Sequence, residues 1–312
     1  MLKPEKLKKG DTIGIIAPSR PIVNIKKDIN EGIKILEDLG FKVKLGNNLY
    51  KKSYYSSGSV KERASDLNSM FANKNVKAII CATGGATSNQ ILDLIDYDLI
   101  KKNPKIFIGY SDITTLLLAI NKKTGLVTFH GANFCDLKKL NKEARMFLFD
   151  ILTGKKKEYV LPDKTEIIKE GKAKGILIGG NIHLSNFLLG TKYAPTYNKK
   201  IWFWEEVGES PASLDQKLNQ FKLSGNLKNI SAMVIGNLSD CIDKKYKGDN
   251  RPINEIILEL TKEYNFPIIK VPYFGHNVSN FYTFPIGATS EINTKTHEFK
   301  IIESPVLFRK SN

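Results

Sequence analysis

The chain has 312 residues, of which 41% are hydrophobic, 10% aromatic and 26% charged. Single hydrophobic cores rarely grow beyond about 250–300 residues, so this length predicts two domains of ordinary size. The composition excludes disordered and collagen-like chains, and no window approaches the roughly 18 consecutive apolar residues that a membrane span needs. The N-terminus lacks the apolar segment of a secretory signal, so we expect a cytoplasmic protein without a membrane partner.

The net charge is +16, and lysine contributes most of the positive charge along the whole chain. Nucleic-acid-binding proteins usually concentrate their basic residues in a patch or an arm. We therefore expect a solvated basic surface and no nucleic-acid partner, with a charge that favours an anionic small substrate. Three widely spaced cysteines, Cys81, Cys135 and Cys241, fit neither a disulfide framework nor a zinc site and are predicted to be free thiols.

Strand and helix patterns alternate through the first half of the chain. Apolar runs predict strands, and apolar residues recurring every three or four positions predict helices. The predicted strands are 12–17, 41–45, Val76–Cys81 and 105–108, and the predicted helices run from Ile25 to Gly40, through Met70, over 91–95 and over 113–120. This order predicts a parallel sheet with helices on both faces, whose ligands bind at the carboxyl ends of the strands.

A change in composition divides the chain. Residues 154–174 are rich in Lys, Glu and Gly, which indicates a connection between one domain at 1–153 and a second at 175–312. The second half has short β-like runs at 176–178, 200–204, 232–235 and 268–271, with helical patterns at 214–221 and 254–264. We expect this second domain to be β-rich.

Ser111 lies where a predicted strand turns into a predicted helix. Such a turn projects a serine hydroxyl as a nucleophile, and the amide that follows points where an oxyanion would form. Ser111 or Asp112 can equally be a helix N-cap, and Ile113 stands where the nucleophile pattern G-x-S-x-G has its second glycine. The local sequence leaves both interpretations open.

Gly84 and Gly85 end the preceding strand. Glycines at this position let backbone amides approach a ligand, either as a second oxyanion donor or as an anion cradle. The segment is neither a P-loop nor a dinucleotide-binding fingerprint, and a plain turn is an equal alternative.

A serine nucleophile needs a base, and the chain has four histidines: His130, His183, His276 and His297. None of their spacings is that of a metal site, so no metal is expected.

His276 follows a strand-like run at a turn, but the pattern alone does not select it as the base. Glu205 ends an apolar strand, where an unpaired carboxylate is costly, so it either faces a partner or is an ordinary edge glutamate.

Seven short segments along the chain share their order with one known family. They are LKKGDTIGIIAPSR within residues 1–20, Gly84-Gly85, IGYSDIT at 108–114, TFHG at 128–131, residues 179–184, WEEVGESPASLDQKL at 204–218 and FGH at 274–276. Together they resemble the LD-carboxypeptidase family of serine peptidases, which includes the microcin C7 self-immunity proteins. The resemblance implies an α/β fold with an N-terminal flavodoxin-like or Rossmann-like domain and a C-terminal β-rich swivelling domain. It also implies a homodimer without a cofactor.

The resemblance also implies a catalytic triad divided between the two domains. Ser111 would be the nucleophile, Glu205 would orient the imidazole, and His276 would be the base. The backbone amides of Gly85 and Asp112 would form the oxyanion hole. Two neighbouring glutamates, Glu206 and Glu209, are alternatives to Glu205 because the alignment by eye does not separate them.

Two substrates are compatible with the resemblance. Carboxypeptidase members remove the terminal D-alanine from murein tetrapeptide, and the motif at 205–218 looks more like that branch. Self-immunity members cleave peptidyl-nucleotide or aminoacyl-nucleotide conjugates and resemble this chain at 84–89, where Gly84 would contact the substrate. They stack a nucleobase on a tryptophan whose place Phe187 would take. Murein tetrapeptide is the favoured expectation, and a non-catalytic protein that binds an anionic ligand is the alternative of another class.

Overall fold

The computed structural model describes residues 1–23, 25–156, 158–160, 164–243 and 250–308. The chain forms two compact units, and three segments build the first: Met1–Lys157, Ser279–Gly287 and Ser304–Asn312. The second unit consists of Glu158–Val278 and Ala288–Glu303. The chain therefore passes between the units four times, whereas the expected division at 154–174 has a single crossing.

Strands and helices alternate along the first segment of the first unit. In chain order they are β1 (Thr12–Ile16), α1 (Lys26–Asp38), β2 (Lys42–Leu45), α2 (Val60–Ala72), β3 (Val76–Cys81), α3 (Tyr97–Lys102), β4 (Ile106–Gly109), α4 (Thr114–Thr124), β5 (Thr128–His130) and α5 (Lys142–Leu152). The predicted strands and long helices are present, but the helix expected at 91–95 falls within a 3₁₀ helix, Ser88–Leu94.

The rest of the chain continues with β6 (Tyr159–Val160), β7 (Glu166–Lys169), β8 (Lys172–Asn181), α6 (Ile182–Leu188), β9 (Lys200–Val207), α7 (Pro211–Leu223), β10 (Ala232–Ser239), α8 (Ile253–Leu260), β11 (Ile268–Lys270), β12 (Phe284–Ile286), β13 (Thr289–Asn293) and β14 (Glu298–Ile301). The segment 154–174, expected to be a connection, therefore contains β6, β7 and the start of β8. Lys157 and residues 161–163 of that segment lie outside the described residues.

The first unit is built on a six-stranded sheet with the order β12-β5-β4-β3-β1-β2. Neighbouring strands are parallel except β12, which is antiparallel to β5. The inner strands are continuous apolar runs, as sheets covered on both faces require, and Ile13, Ile79 and Phe107 have no exposed surface. The carboxyl ends of β1, β3 and β4 are neighbours at one edge, so the loops that follow these strands lie side by side.

The second unit has an eight-stranded sheet with the order β6-β14-β13-β8-β9-β10-β11-β7. Its four central strands, β8 to β11, are parallel, and α6, α7 and α8 connect them. The flanking strands pair antiparallel. The unit is rich in β-structure as expected, and the parallel centre places the end of β9 beside the end of β10.

Two other expectations concern single features of the chain. Cys81, Cys135 and Cys241 are free thiols as predicted, and all three are buried. Burial raises the pKa of the Cys135 thiol to about 12, because a thiolate loses its hydration there. Among the described residues, no helix is both long and apolar enough to cross a membrane.

Candidate functional site

Ser111 occupies the turn between β4 and α4. Its backbone has a φ of +62°, which is uncommon for a residue with a side chain and is typical of a strained nucleophile turn. No side chain caps the 3₁₀ turn Ser111–Ile113 or the first turn of α4. The N-cap interpretation of Ser111 and Asp112 is therefore wrong. The Asp112 carboxylate accepts hydrogen bonds from Thr87 and Ser88 instead.

Gly84 lies directly against the serine. A Cβ atom at this position would be 2.8 Å from Ser111 Cβ and 2.9 Å from Ser111 Oγ, so only glycine fits. Gly85 has a φ of +153° and packs with similar closeness against Ser19 and Arg20 from the loop after β1. The two glycines bring a stretch of backbone next to the serine.

The Asp112 carboxylate ties this stretch to the serine turn. It is buried, and its Oδ2 accepts hydrogen bonds from the backbone N–H groups of Thr87 and Ser88, each at 2.9 Å, and from the Ser19 hydroxyl. The Ser88 hydroxyl in turn donates to the Asp112 carbonyl oxygen at 2.6 Å. Three loops are thus joined at one carboxylate, which fixes the glycine pair relative to Ser111.

Arg63 holds the same loops from the helix side. This residue of α2 is buried, and its Nη1 donates to the carbonyl oxygens of Pro18 at 2.9 Å and Thr87 at 2.8 Å. Burial lowers the pKa of the guanidinium, which the charge of Asp112 partly offsets. The sequence analysis missed Arg63. Arg63 lies four and seven residues before Leu67 and Met70, which places it on the buried face of α2. This helical spacing is the sequence signal by which a buried role for Arg63 could have been predicted.

In the second unit, Glu205 and His276 form a pair. Glu205 lies in β9 with no exposed surface, and its Oε2 lies 2.7 Å from His276 Nδ1 and accepts the His276 backbone N–H at 3.2 Å. A carboxylate at Nδ1 favours the tautomer in which Nδ1 carries the proton, so Nε2 can act as a base.

Two neighbours fix the loop that carries His276. Gly275 has a φ of +113°, and a Cβ atom there would lie 3.0 Å from Glu205 Oε2, so the backbone approaches the carboxylate closely. The Asn237 side chain at the end of β10 donates to the His276 carbonyl oxygen at 2.7 Å. The backbone of His276 is thereby fixed both at the preceding residue, Gly275, and at its own carbonyl oxygen. Asn237 is a further residue that the sequence analysis missed.

Glu206 and Glu209 have other partners. Glu206 accepts the Asn181 side-chain amide at 2.8 Å and the His183 backbone N–H at 3.1 Å, so it holds the turn after β8. Burial raises its pKa. Burial raises the pKa of Glu209, but the hydrogen bond from Ser213 and the Lys217 ammonium at 3.0 Å together lower it below its ordinary value. Of the three glutamates, Glu205 is the one in contact with His276.

Phe187, His130 and His297 are among the other residues that the sequence analysis considered. Phe187 is on α6 with half of its surface exposed, and its ring packs edge-on against His183 at 4.4 Å between centroids. His130 is buried beside Tyr110, and His297 follows a 3₁₀ turn near the end of the second sheet. In the part of the chain that the structure describes, no group of three or more His, Cys, Asp or Glu residues is arranged to hold a metal ion.

Comparison with known proteins identifies the family. Residues 13–131 match the LD-carboxypeptidase N-terminal domain, and residues 174–292 match the LD-carboxypeptidase C-terminal domain. The chain belongs to the LD-carboxypeptidase family. The expected family, the two-domain α/β fold and the enzyme class, a serine-type carboxypeptidase, are thereby confirmed.

Individual relatives cover nearly the full chain. A probable murein peptide carboxypeptidase of Bacillus subtilis is 36% identical over 97% of this chain and 95% of its own length. The microcin C7 self-immunity protein MccF of Escherichia coli is 31% identical, with 94% of each chain covered. Among solved structures, MccF in complex with glutamyl sulfamoyl guanosine superposes with a TM-score of 0.90 at 28% identity, covering 98% of this chain and all of the other.

Proposed function

We propose that this LD-carboxypeptidase removes the terminal D-alanine of murein tetrapeptide with a Ser111–His276–Glu205 triad. The contact of 2.7 Å between Glu205 Oε2 and His276 Nδ1 is the observation that carries the proposal. A buried carboxylate that orients an imidazole serves a catalytic base, whereas a protein that only binds an anion has no need of it. It therefore supports catalysis over the alternative of a non-catalytic protein that binds an anion.

The first half of the reaction forms an acyl-enzyme. His276 Nε2 takes the proton of the Ser111 hydroxyl as Oγ attacks the scissile carbonyl carbon, and Glu205 stabilises the imidazolium that results. The imidazolium then protonates the leaving amine, and D-alanine departs. Water, deprotonated by the same imidazole, releases the shortened peptide and restores the serine.

The backbone amides of Gly85 and Asp112 are the proposed oxyanion donors. The Asp112 amide follows the serine on the turn into α4, and the Gly85 amide belongs to the stretch that Asp112 and Arg63 hold in place. One such donor is typically worth about 3 kcal/mol in the transition state. Because these donors are backbone groups, their positions depend on the buried network rather than on their own side chains.

Murein tetrapeptide is preferred because the relative with 36% identity is named a probable murein peptide carboxypeptidase. An aminoacyl-nucleotide is the second candidate, since MccF structures contain such ligands and Phe187 offers an exposed aromatic face. Both substrates are small molecules with a scissile acyl group, so the same triad serves either. A cytoplasmic location and a homodimer remain further proposals, which cell fractionation and light scattering would test.

The test is mass spectrometry of two substrates after incubation with the purified protein. One is murein tetrapeptide, and the other is an aminoacyl-adenylate analogue with a hydrolysable acyl bond. We expect loss of D-alanine from the tetrapeptide, abolished by Ser111→Ala. Cleavage of the nucleotide analogue alone would select the second candidate, and turnover that survives Ser111→Ala would reject the triad.

A further inference from the structure

Arg20 lies beside the proposed oxyanion loop. It follows Ser19, whose hydroxyl donates to Asp112, and its own backbone N–H donates to the Gly84 carbonyl oxygen at 3.4 Å. A Cβ atom added to Gly85 would be 2.9 Å from Arg20 Cβ. The root of the arginine side chain is therefore in van der Waals reach of the residue whose amide is assigned to the oxyanion hole.

The guanidinium is fixed at one end and open at the other. Its Nε donates to the Thr83 hydroxyl at 3.0 Å, which holds the planar group over the residue before the glycine pair. Arg20 is exposed, and among the described residues no carboxylate lies within 4.0 Å of its guanidinium and no hydrogen bond uses its terminal nitrogens. The two Nη groups thus remain available in a preorganised fork, the donor geometry that suits a carboxylate.

The chemistry of a carboxypeptidase supplies that carboxylate. In a peptide cut at its last bond, only a nitrogen and a Cα atom separate the scissile carbonyl carbon from the terminal carboxylate carbon, so the two carbons are about 3–4 Å apart. A carbonyl oxygen held by the Gly85 amide therefore brings the terminal carboxylate close to the same loop. An arginine side chain of ordinary length rooted next to Gly85 spans this distance.

We propose that Arg20 binds the terminal carboxylate of the substrate and makes the enzyme selective for cleavage at the last residue, an inference that rests on the function proposed above. The guanidinium of Arg20 forms no covalent bond to the substrate and stays charged throughout the reaction. Their pairing with the carboxylate positions the scissile carbonyl at Ser111 and rejects peptides whose C-terminus is blocked or lies further along the chain.

The experiment crosses two peptides with four enzymes. The peptides are murein tetrapeptide and the same peptide ending in D-alaninamide, which lacks the negative charge. The enzymes are wild type, Arg20→Gln, Arg20→Lys and Arg145→Gln, where Arg145→Gln removes one positive charge from α5 of the same unit as a matched control. Values of kcat/KM for each combination form a double-mutant cycle between the side chain and the carboxylate.

Wild type should prefer the free acid over the amide by about 10- to 100-fold, the range for hydrogen bonds to a charged group. Arg20→Gln should lower kcat/KM for the acid by the same factor and leave the amide unchanged, so that the preference disappears. Arg20→Lys should keep part of the preference, and Arg145→Gln all of it. A preference that survives Arg20→Gln, or equal losses on both peptides, would overturn the proposal.

Calorimetric binding separates failure of this inference from failure of the proposed function. Both peptides are titrated into Ser111→Ala and into Ser111→Ala combined with Arg20→Gln, where no turnover occurs. If the wild type cleaves neither peptide, the proposed function fails. Acid-selective binding that depends on Arg20 would still support the carboxylate site, whereas equal binding of acid and amide would reject it.

Discussion

Gly84 and Ser111 approach so closely that a single methyl group does not fit between them, since a Cβ atom on the glycine would lie 2.9 Å from Ser111 Oγ. We expect Gly84→Ala to displace the serine turn and to lower kcat by about 10- to 100-fold, because a misplaced oxyanion donor costs about that much or more. The KM should change less. Steady-state kinetics on the cleaved substrate measures both values.

Gly125→Ala is the matched control. Gly125 ends α4 with a φ of +74°, and no atom lies within 4 Å of the position that its Cβ would take. Alanine there carries the backbone cost of a left-handed conformation, about 1–2 kcal/mol, without touching the serine. Its kcat should equal that of wild type. A Gly84→Ala enzyme with full kcat would mean that the turn moves freely.

Replacing the charge of Glu205 tests the choice among three glutamates. Glu205→Gln keeps the size of the side chain but removes the carboxylate that lies 2.7 Å from His276 Nδ1. We expect kcat to fall by about 1,000-fold or more, because the imidazole loses its preferred tautomer and the stabilisation of its charged form. The rate constant of the tetrapeptide cleavage is the measurement.

Glu209→Gln and Glu206→Gln are the comparisons. Glu209 interacts with Lys217, so its variant should keep kcat close to that of wild type. Glu206 binds Asn181 and the backbone after β8, so its variant should lower the free energy of unfolding by about 1–2 kcal/mol while catalysis persists. If Glu209→Gln abolished turnover and Glu205→Gln did not, the proposed triad would be wrong.

Asp112→Asn should affect folding and catalysis together. The Thr87 and Ser88 N–H groups and the Ser19 hydroxyl all donate to Asp112 Oδ2, so an asparagine oxygen in that position keeps them only as weaker, uncharged hydrogen bonds. The asparagine NH2 group then takes the buried position of Oδ1, which has no hydrogen-bond partner among the described residues. We expect the free energy of unfolding to fall by about 2–3 kcal/mol and kcat to fall with it. Urea denaturation and kinetics provide the two values, and Asp98→Asn, at an exposed ion pair, should change neither by a measurable amount.

Lys105 gives the fold a pH dependence above neutrality. Its side chain is buried, its Nζ donates to the Met70 carbonyl oxygen at 3.0 Å, and burial lowers the pKa of its ammonium group to about 8. An unfolded lysine titrates at about 10.4. Between these two values the unfolded chain binds more protons than the folded chain, so this group makes stability rise with pH.

The comparison of wild type with Lys105→Met isolates this effect. Below about pH 8 the ammonium is charged in both states, and the difference in stability between the two proteins should be constant. From there to about pH 10 the wild type should gain about 2 kcal/mol relative to the variant, as urea titrations would measure. Lys102→Met, at an exposed position, should show no such trend. Parallel curves for wild type and Lys105→Met would contradict the lowered pKa.

Local sequence patterns predict the parts of the fold that depend on neighbouring residues. β3 and β4 are apolar runs closed by glycine-containing turns, and both are found where the pattern placed them. The helix α5 was not among the predicted ones, although Asn141 caps it and its apolar residues follow helical spacing. The pairing of β7 with β11 joins segments about a hundred residues apart, and no short-range signal specifies it.

The candidate site divides in the same way. Ser111 and His276 stand out because each follows an apolar strand at a turn, and Glu205 because it is a carboxylate in an apolar strand. The family resemblance then suggests a role for each. Arg63 and Asn237 act through backbone carbonyl oxygens of distant loops, so their importance depends on the folded chain. A sequence shows that a polar residue lies on the apolar face of a helix, but not which loop it meets.

The pairing of β12 with β5 bears on how the protein is made in the cell. Phe284 lies opposite His130 in this pair, so more than 150 residues of chain are synthesised between the two strands. Until β12 leaves the ribosome, β5 is an open edge of the sheet that carries Ser111. Open edges promote aggregation. A chain that ends before β12 keeps this edge exposed, so we expect it to aggregate more readily than the complete chain.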